Sequence, residues 1–528
     1  MKKTHLFLFL LFVYLAFIPG MQDSFSQSQF QLVIGDSSNI GEARCIIQTS
    51  DGGYIAAGES DTFGDMYIVK LNSSGQLQWS KTIGGFLPDI ALSISQTAEG
   101  GYIVSGYSES FQYFHSIFIK LTQDGNIEWT RGLNTGDPAW DIVQTTDGGY
   151  AAVVSPTEGG FSPDRMMLVR LNSAGILQWS KRFSGGVHAC CIKQTNDKGF
   201  IVAGAKDSTD QDMFIIKLDS NGSLQWAKTI GGSGDDFAYS VIQTSDGGYA
   251  VAGRTSSFPN GDKMYIVKLD DSGLLQWTKV VSVFLDEAFS IVQTNDGGYA
   301  VAGYTGAHHS MLILKLNPDG SFQWSRVIDG GLGQTYAHSI IQTTDGGYAA
   351  AGYGGIVGTR GLFIVKLDNN GNTCGNTVSH SILENTGGIL GSPTTTVTNV
   401  SLRDTVLTPQ TGSVGQVTPL CVIGIQPITS EIPSTYKLYQ NYPNPFNPVT
   451  KIKFDISGSL AAQTFLAVYD MLGREVDILV NTDLDPGTYE VDWDGSNYAS
   501  GVYYYSLSVL NSGSLVKYQE TKRMLLIK

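Results

Sequence analysis

Carboxylates set beside flat aromatic rings are the part of this sequence best equipped for chemistry. Asp89, Asp137, Asp235, Asp236, Asp286 and Glu287 stand in stretches that change along the chain, with Trp140 close by. Acids with ring faces suit a sugar, a metal ion or a basic partner. The adjacent pairs Asp235-Asp236 and Asp286-Glu287 would matter for glycoside hydrolysis, which uses two carboxyls about 5–10 Å apart. Neighbours on a strand point to opposite faces, so such a pair need not converge. The histidines after residue 26 (His115, His188, His308, His309, His338 and His380) are scattered. The sequence holds no HExxH, GxSxG, P-loop or paired CxxC. These residues therefore assign no catalytic group, no metal ligands and no cofactor. The Asx-rich turns echo calcium loops without their twelve-residue pattern or closing Glu, which leaves calcium as the one candidate ion.

The elements that hold these groups follow from composition and repetition. The chain has 528 residues, with 33 Lys and Arg against 48 Asp and Glu, a net charge of −15. Such a balance argues against a nucleic-acid partner. Charged residues make up 15% and glycines number 63, with 57 aromatic residues from 25 Tyr, 24 Phe and 8 Trp. That profile excludes a helical bundle and a disordered polyelectrolyte.

A string related to QTSDGGY starts at Gln48, Gln96, Gln144, Gln194, Gln243, Gln293 and Gln342. The intervals are 48, 48, 50, 49, 50 and 49 residues. Each unit parses into four short β-branched or aromatic runs separated by Gly, Asn or Asp, which are strand and hairpin signals. Four strands per unit of about 50 residues predict the blade of a propeller. Six units carry a Trp in the fourth strand: Trp79, Trp129, Trp179, Trp226, Trp277 and Trp324. The seventh has none, but Phe30–Gly35 aligns with Trp79–Gly84. The N-terminal strand is thus expected beside the third strand of the last unit, closing seven blades and removing two sheet edges. A basic residue ends every third strand and an acid sits in every first turn, which predicts an ion pair within each blade. The expected fold class is all-β, a seven-bladed propeller followed by a small Ig-like β-sandwich.

The repeat unit resembles that of a bacterial β-propeller family, from about Phe30 to Leu367. The resemblance speaks to fold and leaves function open, because propellers host many activities. Recurrent positions read as scaffold. The loops between second and third strands and between units differ in every blade, so ligand binding is expected there.

Both ends read as addresses. Lys2 and Lys3 precede an apolar run from Leu6 to Ile18, and Ser24-Phe25-Ser26 offers small residues for cleavage. Thirteen apolar residues suit a signal peptide and are too few to span a bilayer, so residues 1–26 read as a leader. No transmembrane segment is expected. Residues 27–375 hold the repeats, and 376–434 have the Thr-, Gly- and Ser-rich composition of a linker. Cys374 and Cys421 flank that stretch and are expected to pair.

Residues 435–528 carry Asn441-Tyr442-Pro443-Asn444-Pro445-Phe446, then Gly473, the string ending Trp493-Asp494-Gly495, and Gly501-Val502-Tyr503. This segment resembles the type A C-terminal sorting domain of type IX secretion cargo in Bacteroidetes-like bacteria. The resemblance implies export across both membranes, with Asn441, Pro443, Asn444, Pro445, Phe446, Gly473, Trp493, Gly495, Gly501 and Tyr503 read by the translocon. The chain is then a secreted or cell-surface module that binds a glycan or a protein. A propeller-based glycan lyase or hydrolase and a purely structural surface protein are the alternatives.

Overall fold

The computed structural model describes residues 29–528 apart from loops at 36–40, 61–63, 111–114, 157–165, 207–210, 260, 283–285, 307–309, 329–333 and 357–358, connectors between 375 and 431, and 459–461, 485, 496–497 and 511–515. From 377 to 429 it describes strand backbones only. The leader expected at 1–26, His308, His309 and His380 lie outside the described residues.

Each repeat forms one antiparallel sheet in chain order. In the sixth, Asp286–Gln293, Tyr299–Thr305, Ser310–Leu316 and Phe322–Ile328 lie side by side. The first turn shows why its residues recur. In the first sheet the Gly52 amide donates to the Thr49 carbonyl at 2.9 Å, and the Gly53 amide donates to Asp51 Oδ1 at 3.0 Å. This turn needs a left-handed residue, and Gly52 takes φ +81° at no steric cost. The fourth repeat reads Asn196-Asp197-Lys198-Gly199, and there Lys198 adopts φ +64°.

The predicted ion pair is present in six sheets: Lys70–Asp51 at 2.8 Å, Arg170–Asp147 at 2.5 Å, Lys217–Asp197 at 2.7 Å, Lys268–Asp246 at 2.8 Å, Lys315–Asp296 at 2.9 Å and Lys366–Asp345 at 2.9 Å. The second sheet differs. Lys120 pairs with Glu128 at 3.5 Å, and the longer Glu99 side chain accepts from Gln144 instead.

Apolar clusters lie between consecutive sheets, where each sheet hides both faces. Ile103 and Phe118 of the second sheet meet Ile142 and Tyr150 of the third, for example. One cluster joins Ile364 and Leu362 of the seventh sheet to Ile46 and Tyr67 of the first. The seventh sheet takes its fourth strand from the N-terminus as expected. Gln29–Gly35 pairs antiparallel with Thr359–Leu367, Phe30 opposite Lys366. Phe30 then meets Tyr54 edge-on at 5.7 Å, the relation Trp129 has to Tyr150 at 5.8 Å.

Residues 376–434 depart from the linker reading. Eight strands lie in this stretch; the first seven each add a fifth strand to one of the seven sheets, and the eighth joins a C-terminal sheet. Thr and Val stabilise extended backbone, and the outer strand of each sheet offers unpaired amides to complete. Composition signalled the absence of a core and missed this edge pairing. Cys374 is disulfide-bonded, whereas Cys45, Cys190 and Cys191 are free thiols.

The C-terminal region holds two four-stranded sheets. One orders Pro427–Thr429, Gly487–Asp494, Val449–Ile456 and Lys437–Leu438, and the other orders Glu475–Leu484, Ala462–Tyr469, Gly501–Leu510 and Val516–Leu526. They share one core around Trp493, Phe454, Leu466 and Tyr505.

Candidate functional site

The first strands carry two circuits of hydrogen bonds between sheets. The repeat glutamine makes one. The Ser50 amide donates to Gln96 Oε1 at 2.8 Å, the Ala98 amide to Gln144 at 2.7 Å, and so on to the Thr344 amide, which donates to Gln48 at 2.8 Å. The second uses the small residue three positions before that glutamine. Cys45 Sγ donates to the Ile94 carbonyl at 3.7 Å and Ser93 Oγ to Asp141 Oδ1 at 2.7 Å. Asp141 Oδ2 accepts from the Ile192 amide at 2.9 Å, and Cys191 Sγ donates to the Val241 carbonyl at 3.6 Å. Ser240, Ser290 and Ser339 accept from the amides of Ile291, Ile340 and Ile46. Seven bonds thus link each sheet to the next, and the seventh to the first.

Between this small residue and the buried repeat alanine, the register slips by one in all seven first strands. A bulge leaves one residue unpaired and re-aims its side chain. The bulged residues are Arg44, Leu92, Trp140, Cys190, Tyr239, Phe289 and His338. All are half-buried in strands whose neighbouring alanines are fully buried.

These side chains meet across sheets. The Tyr239 and Phe289 rings lie 5.3 Å apart and Phe289 and His338 5.0 Å apart. His338 Nε2 hydrogen-bonds to Glu42 Oε1. Arg44 pairs with Glu42 at 3.0 Å and with Glu59 at 2.9 Å. Burial by itself would raise the Glu42 carboxyl, but the hydrogen bond and charge of His338, with Arg44, hold it below its usual range. On the third and fourth sheets Trp140 packs edge-on against His188 at 4.9 Å and donates to the Ser155 carbonyl at 3.0 Å. The cluster thus offers ring faces beside a carboxylate and a guanidinium.

Most of the acids singled out in the sequence face inward. Asp89 is 1% exposed, Asp137 3%, and Asp236 and Asp286 are 0% exposed. Asp89 accepts from the Gly85 amide at 2.9 Å and from the Ser108 and Ser110 hydroxyls. Asp236 accepts from the Gly232 amide at 3.0 Å and the Ser257 hydroxyl at 2.8 Å. They brace the crossing from one sheet to the next. Burial, against these hydrogen bonds, leaves the Asp89 and Asp236 carboxyls above the usual range. Asp235 is exposed and Glu287 half-buried, so each adjacent pair is split between inside and outside, as strand alternation requires. Of these residues only Trp140 makes a ring contact, and that is with His188. Arg44, Tyr239 and Phe289 were not singled out, and His338 was named only among the scattered histidines. Their signal was available: one position, flanked by an Ala in every repeat and by a Ser, Cys or Asp, changes identity in every repeat.

The C-terminal motif divides similarly. The Asn441 amide donates to the Tyr505 hydroxyl at 2.7 Å, and its side chain donates to the Pro443 carbonyl at 3.1 Å and Thr450 Oγ1 at 2.9 Å. Phe446 and Tyr503 pack on Trp493 at 5.4 and 5.3 Å, and a Cβ on Gly495 would come within 2.9 Å of Leu526. Gly473 closes a turn at φ +76°, and Gly501 begins the strand that pairs with the chain end. Pro443, Asn444 and Pro445 are exposed.

Residues 440–518 match the family described as the secretion system C-terminal sorting domain. The chain is therefore exported by type IX secretion, to the cell surface or the medium. No helix among the described residues is long and apolar enough to cross a membrane. No curated protein matches the chain. Among solved structures it is similar to the extracellular domain of a putative hybrid two component system from B. thetaiotaomicron, at 10% identity and TM-score 0.41, over 94% of this chain and 59% of that one. A tetra-tandem repeat in the extending region of a large adhesion protein matches at 9% identity and TM-score 0.15, over 92% of this chain and 98% of that one.

Proposed function

We propose that residues 27–375 are a seven-bladed β-propeller that binds a glycan at the mouth formed by its seven first strands. Residues 435–528 act as its sorting domain and residues 1–26 as its leader. The observation that carries this reading is the bulge in every first strand, which turns one variable side chain per blade out of the buried pattern. Bulges are over-represented where a side chain must be re-aimed at a site. Trp140, Tyr239, Phe289 and His338 supply faces on which a sugar ring stacks, and Arg44 with Glu42 supplies partners for its hydroxyls.

A glycan array probed with the mature chain, followed by thermal shift with each hit, tests the reading. A ligand that prefers the native state raises its melting temperature. A glycan whose stabilisation disappears in Trp140→Ala and Phe289→Ala supports the assignment. Hits unaffected by both substitutions contradict it, and an array without hits turns the search to a protein ligand.

A further inference from the structure

The seven fifth strands follow a strict spatial order. Thr377–Val378 pairs with the outer strand of the sixth sheet, Leu383–Asn385 with the fifth and Ile389–Gly391 with the fourth. Val397–Asn399 pairs with the third, Asp404–Val406 with the second and Gln410–Gly412 with the first. Gln416–Ile423 then returns to the seventh sheet, where it pairs with the N-terminal strand, Cys421 opposite Gln31. The chain thus visits the seven sheets once each, in descending order, and ends on the sheet it left. The connectors have three to five residues, 379–382, 386–388, 392–396, 400–403, 407–409 and 413–415. Even five residues reach only roughly 18 Å at full extension, too short to cross a seven-bladed disk.

Cys374 lies seven residues after the last repeat strand, Thr359–Leu367, and is disulfide-bonded. Three of the other four cysteines are free. We infer that residues 374–421 form a belt around the propeller, buckled by a Cys374–Cys421 disulfide. The belt starts and finishes at the seventh sheet, so the buckle closes one covalent loop outside all seven blades. It also traps Gln29–Gly35, the strand with no covalent neighbour in its sheet, between Thr359–Leu367 and Gln416–Ile423. Forming the buckle joins two thiols, and their two protons and two electrons pass to an oxidising disulfide such as a periplasmic thiol oxidase. The inference rests on the propeller reading.

The test is hydrogen–deuterium exchange of the intact oxidised chain and of the same chain reduced with dithiothreitol, which returns the two electrons. Peptide mapping without reduction first identifies the linkage. A Cys374–Cys421 peptide is expected, and any other partner for Cys374 overturns the buckle. Reduction is expected to speed exchange by tenfold or more in the outer strands of several sheets, including Leu77–Gly84 and Leu177–Phe183, while the inner strands keep their protection. Acceleration confined to the seventh sheet, or none, overturns the belt. A Cys421→Ser variant should match the reduced protein and serves if dithiothreitol fails to reach the bond. Electron-microscopy averages of both samples keep the two claims apart. A seven-bladed ring with local exchange changes removes the belt alone, whereas no ring in either sample removes the propeller with it.

Discussion

The Ile46 amide donates to the Ser339 hydroxyl at 3.2 Å, across 293 positions of sequence. It is the seventh of a series of bonds that otherwise join successive repeats. It joins the last sheet to the first. The Thr344–Gln48 bond and the apolar cluster between Ile364 and Ile46 repeat the same relation at other heights.

The N-terminal strand should be essential to this closure. Phe30 is 0% exposed and occupies the place held by Trp in the other sheets. Phe30→Ala should cost about 3–5 kcal/mol, measured by urea unfolding. Phe30→Leu should cost clearly less, since it leaves a smaller cavity.

The Lys198 turn should carry strain that its six counterparts lack. A non-glycine residue in the left-handed region costs roughly 1 kcal/mol. Lys198→Gly should therefore stabilise the protein by up to about 1 kcal/mol, offset in part by the greater freedom of glycine in the unfolded chain. A lower melting temperature for this variant would contradict the account.

The carboxylates of the first turns set the acid limb of stability. Asp147 is held at about 2 by the Thr145 hydroxyl, against burial, with the Gly149 amide and Arg170 assisting. At Asp296, burial pulls upward, and hydrogen bonds from Thr294 and Lys315 outweigh it, again giving about 2. The unfolded value is near 3.9. Carboxyls lowered in the folded state contribute stability that is present above that value and lost as pH falls towards 2. The melting temperature should thus fall between about pH 4 and 2, and the fall should shrink in Asp147→Asn/Asp296→Asn. Asp65, Asp89 and Asp236 act oppositely. Burial raises them, so the stability tied to their protonated forms is present at low pH and fades as pH rises through their folded values.

Export should separate the buried from the exposed part of the sorting motif. Trp493→Ala should cost about 3–5 kcal/mol and unfold the C-terminal region, so export fails with loss of structure. Asn444 and Pro445 are exposed, and Pro445→Ala should lower the fraction exported while leaving the core around Trp493 folded. Unimpaired export of the Pro445 variant would show that the translocon reads another surface.

Strand order was legible because each strand is short and punctuated, and because seven copies average out local ambiguity. The position of Phe30 was legible for the same reason. The fifth strands were not, since Leu383–Asn385 or Asp404–Val406 is three residues long and carries no periodicity of its own. Their strand character comes from the edges they complete. The acids misled for a related reason. Asp89 and Asp236 sit in variable stretches, yet each repeats a bracing role through different serine and glycine partners. The half-buried rings of Tyr239, Phe289 and His338, on which the proposed site rests, lie instead inside first strands that otherwise read as scaffold.

Closure of the seven sheets is the central claim, and a distance between spin labels tests it most directly. Ser50 and Thr344 are exposed turn residues of the first and seventh sheets. Labels on cysteines at these positions, with the native free thiols replaced, should give one narrow population below about 25 Å. Packed sheets are spaced by about 10 Å, so an open stack of seven would separate the labels by roughly 60 Å. A population centred beyond about 50 Å would contradict the closed arrangement.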